Sequence, residues 1–315
     1  MLSFVQTRGR AAALAVFAVV WLALGGLAMA GQGGQATPTQ DPQGYAGEQT
    51  CLTCHEAQTK GYHGSAHAQA FIARAPINRQ GCESCHGPGA AHVEAGGDPT
   101  KIASYKRMTA DEASATCTSC HNRSEHALWA GSQHERRDVG CVNCHSVHAA
   151  KSQSSQLRAT TQTALCATCH RDKTKKQNRF NHMPVREGKM ECSSCHNVHG
   201  SGNVKLLNTG TTENESCMSC HQEKRGPMLW EHPPVAESCT TCHDAHGTNN
   251  DRMLTAKQPF LCQRCHVTAR HPPTVYEGTI LTSNQNANKM FSRACLNCHT
   301  MIHGSNAPGG RAFLR

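Results

Sequence analysis

The stretch "CVNCHSVHAA", residues 141–150, sets two cysteines and a histidine in the order Cys-x-x-Cys-His, with a second histidine three positions on. Cys-x-x-Cys-His is the attachment sequence for c-type haem. Its two thiols add across the two vinyl groups of the porphyrin. The histidine that follows at once lies under the iron as proximal ligand. A single copy carries little weight, because Cys-x-x-Cys also serves zinc sites and redox-active dithiols.

The motif recurs until the cysteines run out. It stands at Cys51, Cys54 and His55; Cys82, Cys85 and His86; Cys117, Cys120 and His121; Cys141, Cys144 and His145; and Cys166, Cys169 and His170. It stands again at Cys192, Cys195 and His196; Cys217, Cys220 and His221; Cys239, Cys242 and His243; Cys262, Cys265 and His266; and Cys295, Cys298 and His299. Ten copies consume all 20 cysteines. Zinc would pair two Cys-x-x-Cys units per metal and would not place a histidine after each. A disulfide scaffold would not fix that spacing either. The expected cofactor is ten covalently bound haem c.

Twelve of the 22 histidines lie outside the motifs, and most are regularly placed. The chain divides into five modules of two haems, each with a first motif, a histidine, a second motif and a trailing histidine. The trailing set is His92, His148, His199, His246 and His303. The intervening set is His67, His134, His182, His232 and His271. "YHGSAH" and "WAGSQH" end on His67 and His134; "HMPV", "HPPV" and "HPPTV" begin on His182, His232 and His271. These ten are the candidate distal ligands. A trailing histidine three residues after a proximal one cannot easily reach the opposite face of the same haem, so it is expected to serve a neighbour and stitch modules together. His63 and His126 fall outside both patterns. Methionine, the rival ligand, shows no repeated context. Tyr62, Trp129 and Trp230 are expected to pack beside haems and fix ligand loops rather than relay electrons.

The first thirty residues read as a secretory signal: Arg8 and Arg10, an apolar run, and a small-residue cleavage site ending at Ala30. Cleavage leaves 285 of 315 residues, exported to the periplasm. Residues 31–50 read as a flexible leader, 51–303 as the haem domain, and 304–315 as a C-terminal tail. Hydrophobic residues make up 37% and aromatic residues 4% of the chain, too little for a core of its own side chains at this length. The porphyrins must supply the filling. The fold class expected is a multihaem cytochrome c, mostly short α-helices and irregular loops wrapped around ten covalent haems, with little β, drawn out as an elongated haem wire.

The formal charge of +9 falls to +7 without Arg8 and Arg10. Twenty ionised propionates would bring it to about −13 with ferrous haems and about −3 with ferric ones. No nucleic-acid partner is expected.

The whole exported chain resembles the MtrA/DmsE family of decahaem cytochromes c, which includes PioA- and MtoA-type proteins. The carrying residues are the ten motifs, "YHGSAHA" (Tyr62–Ala68), "CESCHGPGAAH" (Cys82–His92) and above all "CLNCHTMIHGSNAP" (Cys295–Pro308). The resemblance implies an elongated periplasmic wire, two pentahaem halves in tandem that here would meet near 171–191, seated in an outer-membrane β-barrel porin. It implies electron flow between periplasmic or inner-membrane cytochromes and an extracellular multihaem cytochrome, reductase or other donor or acceptor. Metal reduction, Fe(II) oxidation and sulfoxide respiration all fit.

Physical scale points the same way. A hydrocarbon layer is about 30 Å thick, and a compact globule of this length has a radius of gyration of roughly 19 Å. A line of ten haems exceeds both, and so polar a chain needs a sleeve to cross lipid. Bis-histidine iron has no vacant position for substrate, which favours an electron carrier over an enzyme. The alternatives are a soluble periplasmic shuttle or store without a barrel and, behind it, a multihaem reductase.

Overall fold

The ten motifs fold alike, and they set the scale of everything around them. In every copy the histidine backbone N–H donates to the carbonyl of the first cysteine, at 2.8–3.1 Å. Each motif is therefore a single helical turn. Residues three apart share a helix face, so two intervening residues turn both sulfurs of a motif toward one side.

These turns belong to a computed structural model that describes residues 44–152, 154–266 and 294–314. The signal sequence, the leader up to residue 43 and His271 lie outside the described residues. Among them are twelve α-helices of four to nine residues: α1 (Glu48–Leu52), α2 (Glu56–His63), α3 (Glu83–His86), α4 (Ala90–Glu94), α5 (Ala110–Thr118), α6 (Cys141–Cys144), α7 (Gln162–Cys166), α8 (Arg171–Lys176), α9 (Met183–Arg186), α10 (Glu213–Met218), α11 (Pro233–Glu237) and α12 (Phe260–Gln263). Strand pairing is confined to isolated antiparallel bridges. The expectation of short helices, much loop and little β holds.

Local chemistry starts and stops these helices. Thr109 with Glu112 and Thr212 with Glu215 form capping boxes at the starts of α5 and α10. Thr161 accepts from Ala164 N at the start of α7. All three helices run into the first cysteine of a motif. The histidines that close two first motifs, His55 and His170, then serve as N-caps of α2 and α8. Pro184 and Pro233 sit in the first turns of α9 and α11, where a missing N–H costs nothing and the fixed φ suits the helix.

Few apolar side chains are buried. Among the described residues the core comprises Tyr62, Ala75, Ala113, Trp129 and Leu157. Polar side chains do much of the joining. Asn214 accepts from Cys239 N at 2.7 Å and donates to the carbonyls of Val235 and Ala236, tying α10 to the next motif. Ser114 accepts from Cys141 N in the same way.

Glu83 occupies a variable position of the second motif and is 4% exposed. Its carboxylate accepts from Ala46 N, Gly47 N and Gly89 N at 2.8–3.0 Å. One side chain thus fixes the entry to α1, which carries Cys51, and the loop before α4, which carries His92. Charge-assisted hydrogen bonds contribute about 1.5–3 kcal/mol each and are not additive. Glu83→Ala is expected to lower the stability of the haem-loaded protein by on the order of 3 kcal/mol. Guanidinium titration followed by circular dichroism checks this.

Candidate haem sites

The cysteines meet in a regular order. The thiols of Cys51 and Cys82 lie side by side, as do those of Cys117 and Cys141, Cys166 and Cys192, Cys217 and Cys239, and Cys262 and Cys295. These are the first cysteines of motifs one and two, three and four, and so on. The second cysteines join the remaining neighbours: Cys85 lies within electrostatic reach of Cys120, Cys144 of Cys169, Cys195 of Cys220 and Cys242 of Cys265. Contact passes from motif to motif in sequence order, through first and second cysteines in alternation. None of the 20 cysteines is in a disulfide. Among the described residues no three His, Cys, Asp or Glu side chains gather to hold a free metal ion, as a zinc site would require.

The histidines meet in pairs. Nine motif histidines each face a histidine from elsewhere, with ring centroids 5.9–6.3 Å apart: His55–His92, His86–His148, His121–His67, His145–His199, His170–His134, His196–His246, His221–His182, His243–His303 and His266–His232. Two metal–nitrogen bonds of about 2 Å, with the half-width of a ring at each end, span about that distance. The spacing is too long for ring stacking contact and right for one metal between two imidazoles. The donor set fits haem iron. Of the ten candidate distal ligands, only His271 lies outside the described residues.

The other ring nitrogen is often committed. A carbonyl can only accept, so a histidine whose Nδ1 meets a carbonyl carries its proton there and keeps the Nε2 lone pair free. Nδ1 of His86 donates to Ala103 O at 2.8 Å, His145 to Ser155 O at 2.6 Å, His196 to Lys205 O at 2.8 Å, His243 to Arg252 O at 2.9 Å and His299 to Ala312 O at 2.6 Å. Among distal candidates, His92, His134, His148 and His182 do likewise with Asp98, Val198, Gln58 and Ala245. Burial pushes the pKa of His67, His86, His232, His246 and His303 down. His199 is pushed to about 4, chiefly by burial and then by His126, His145 and His134. These rings are neutral at neutral pH, as ligation requires.

The pairing has a register. Val198, the acceptor for His134, directly precedes His199; Ala245, the acceptor for His182, directly precedes His246. Ile302, just before His303, stands opposite His232 without closing a hydrogen bond. His134, His182 and His232 are thus each seated beside the trailing histidine of the next two motifs. Close backbone approach makes this possible. Gly247 has φ +113°, and a Cβ there would stand 2.5 Å from Lys176 O. Lys176 also pairs with Asp244 at 2.6 Å, and Phe180 bridges to Thr248.

Three features escape a reading of side-chain patterns. Consecutive non-glycine residues adopt positive φ at Ser155–Gln156, Lys205–Leu206 and Arg252–Met253, each costing about 1–2 kcal/mol. The first of each pair supplies the acceptor carbonyl, and Leu157, Leu207 and Leu254 follow. A leucine eleven or twelve residues after His145, His196 and His243 is the one visible signal. His126, outside the repeated patterns, has its ring centroid 4.2 Å from His199 and 5.7 Å from His121. His63 lies 3.5 Å from Glu48. Two of the three aromatic residues tie down neighbouring segments: Tyr62 donates to His67 O, and Trp230 Nε1 donates to Ala307 O. The C-terminal segment docks there, with Trp230 and Ser305 exchanging both backbone hydrogen bonds.

Serial Cys-x-x-Cys-His turns, each closed by a histidine and nearly all faced by a second one, define a multihaem c-type cytochrome, an electron-transfer protein. The doubled CXXCH motif family matches residues 182–226 and 232–271, and the NrfB-like cytochrome c-type protein family matches 82–167. The chain is 40% identical over 278 residues to the multiheme cytochrome MtrA of Shewanella baltica, covering 85% of this chain and 81% of that protein. It therefore belongs to the MtrA family. It is also 29% identical over 133 residues to the cytochrome c-type protein NrfB of Escherichia coli O6:H1, covering 41% of this chain and 68% of that one. The C-type polyheme cytochrome OmcB of Geobacter sulfurreducens is 26% identical over 247 residues, 62% of this chain but 32% of its own length.

Gly247→Ala is expected to lower the denaturation midpoint of the haem-loaded protein by the equivalent of about 2 kcal/mol or more. Gly202→Ala, where a Cβ meets nothing within 4 Å, is expected to leave it unchanged. Parallel guanidinium titrations compare the two.

Proposed function

We propose that this chain carries ten covalent haems, each held by a motif histidine and one distal histidine, and conducts electrons along them in sequence order across the outer membrane. The observation that carries the reading is the serial contact of the ten motifs together with the 6 Å histidine pairs. By elimination His271 serves the haem of His299. The intervening histidine of one two-haem module then serves the first haem of the next module. The trailing histidine of that next module serves the second haem of the one before. His92 closes the chain at one end and His271 at the other. Two pentahaem halves meeting near 171–191 would be joined as closely as any other neighbours, since Cys166 and Cys192 touch there.

Haem supplies the one-electron chemistry. The residues of this chain would hold the attachment points in line and present two imidazole Nε2 atoms to each iron. Two such ligands per haem would leave no open site for a small substrate, which supports an electron carrier.

Membership of the MtrA family supports a place in extracellular electron transfer, inside an outer-membrane β-barrel porin, after export and cleavage behind Ala30. Electrons would pass between periplasmic or inner-membrane cytochromes and an extracellular multihaem cytochrome, reductase or other donor or acceptor. Among the described residues no helix is long and apolar enough to cross a membrane.

Native outer membranes extracted in mild detergent and run on size exclusion test this. Haem-stained protein is expected to co-elute at a fixed ratio with a heat-modifiable barrel protein. Recovery solely as free protein in the periplasmic fraction would instead establish a soluble shuttle.

A further inference from the structure

Nine of the ten proximal histidines, all but His266, fall into two kinds. All five that close a second motif (His86, His145, His196, His243 and His299) donate Nδ1–H to a backbone carbonyl 9 to 17 residues downstream, at 2.6–2.9 Å. Among the described residues, His55, His121 and His170, which close first motifs, show no such bond, and His221 only faces the carboxylate of Glu223 at 3.4 Å. Three of the carbonyls belong to non-glycine residues held at positive φ: Ser155, Lys205 and Arg252. That conformation is uncommon for such residues. Here a ladder of backbone bonds holds it. Asn197 N donates to Leu206 O, and Asn208 N donates to Cys195 O; the same two bonds recur around Arg252 and around Ser155.

We propose that this carbonyl clasp tunes redox potential: at each second motif it lowers the potential of the haem whose proximal histidine it holds. A hydrogen bond accepted from Nδ1–H makes the imidazole a stronger donor to its metal. A stronger axial donor favours ferric over ferrous iron, and so lowers the potential of the one-electron couple. One electron enters the iron and the Nδ1 proton stays on the ring, so no proton moves. Distal histidines carry the same bond opposite three first-motif histidines (His92, His134 and His182, facing His55, His170 and His221) and opposite one second-motif histidine (His148, facing His86), so the effect is read haem by haem at the clasped proximal ligand. Ser155, Lys205 and Arg252 act through the ligand and are positioning residues. The inference rests on the bis-histidine reading above.

The test uses two substitutions at one clasp in the haem-loaded full chain. Lys205→Gly and Lys205→Pro both remove the ion pair of Lys205 with Glu213. Glycine keeps positive φ and the carbonyl in place; proline fixes φ near −65° and turns the carbonyl away. Ser155→Gly and Ser155→Pro repeat the comparison at another clasp. Redox titration followed by electron paramagnetic resonance is the readout. The glycine variants are expected to overlay the native titration. The proline variants are expected to shift one low-spin component to higher potential, with its bis-histidine signal retained. Proline variants that titrate like their glycine partners overturn the proposal. Loss of the haem in both proline variants also overturns it, because the clasp then serves assembly alone. A native protein without bis-histidine signals defeats the earlier reading instead, and the two failures are distinct.

Discussion

A separation of about 6 Å between imidazole centres is the constraint on which the rest of the structure depends. Two rings that far apart do not touch. Nine such pairs, most of them joining segments distant in sequence, have no cause in protein packing alone. A metal held between each pair, as proposed, would supply the cause. The loops that deliver distal histidines would then be fixed at both ends: by the iron at Nε2 and, in four cases, by a carbonyl at Nδ1.

That constraint accounts for what the chain lacks. Short helices and loops with, among the described residues, five buried apolar side chains would not outweigh the conformational entropy of ordering more than two hundred residues. Covalent attachment and the proposed axial ligation would act as cross-links. Each closes a loop and narrows the unfolded ensemble, as a disulfide does. The porphyrins add apolar surface that the sequence does not provide. Buried polar residues such as Glu83 and Asn214 then set angles between turns rather than fill a core.

The motifs, the short-helix fold and the list of second histidines were legible in the sequence because each rests on a local spacing. Glu83 was hidden because it occupies a variable position inside a motif, and its partners lie 36 and 37 residues away and in the loop beyond. The histidine pairing was hidden because it depends on long-range register. His67 and His126 stand at similar distances from His121, and only the repeating order of the other pairs favours His67. The clasps were hidden because their working atoms are backbone carbonyls. Ser155, Lys205 and Arg252 share a conformation and no side-chain chemistry. Trp230 was read correctly as an anchor from its place beside His232, although its partners, Ser305 and Ala307, were visible only as part of the family-like ending "HGSNAP".

The order of contacts also gives the signature its meaning as a conductor. First cysteines lie together within one pair of motifs and second cysteines stand within electrostatic reach between pairs, so successive motifs are neighbours. The most direct measurement is near-infrared magnetic circular dichroism of the oxidised native protein beside His246→Met. Native protein is predicted to show only bis-histidine charge-transfer intensity, and the variant to convert one tenth of it to histidine–methionine character with a raised potential. A variant spectrum identical to the native one would contradict the account, because His246 would then face His196 without sharing an iron.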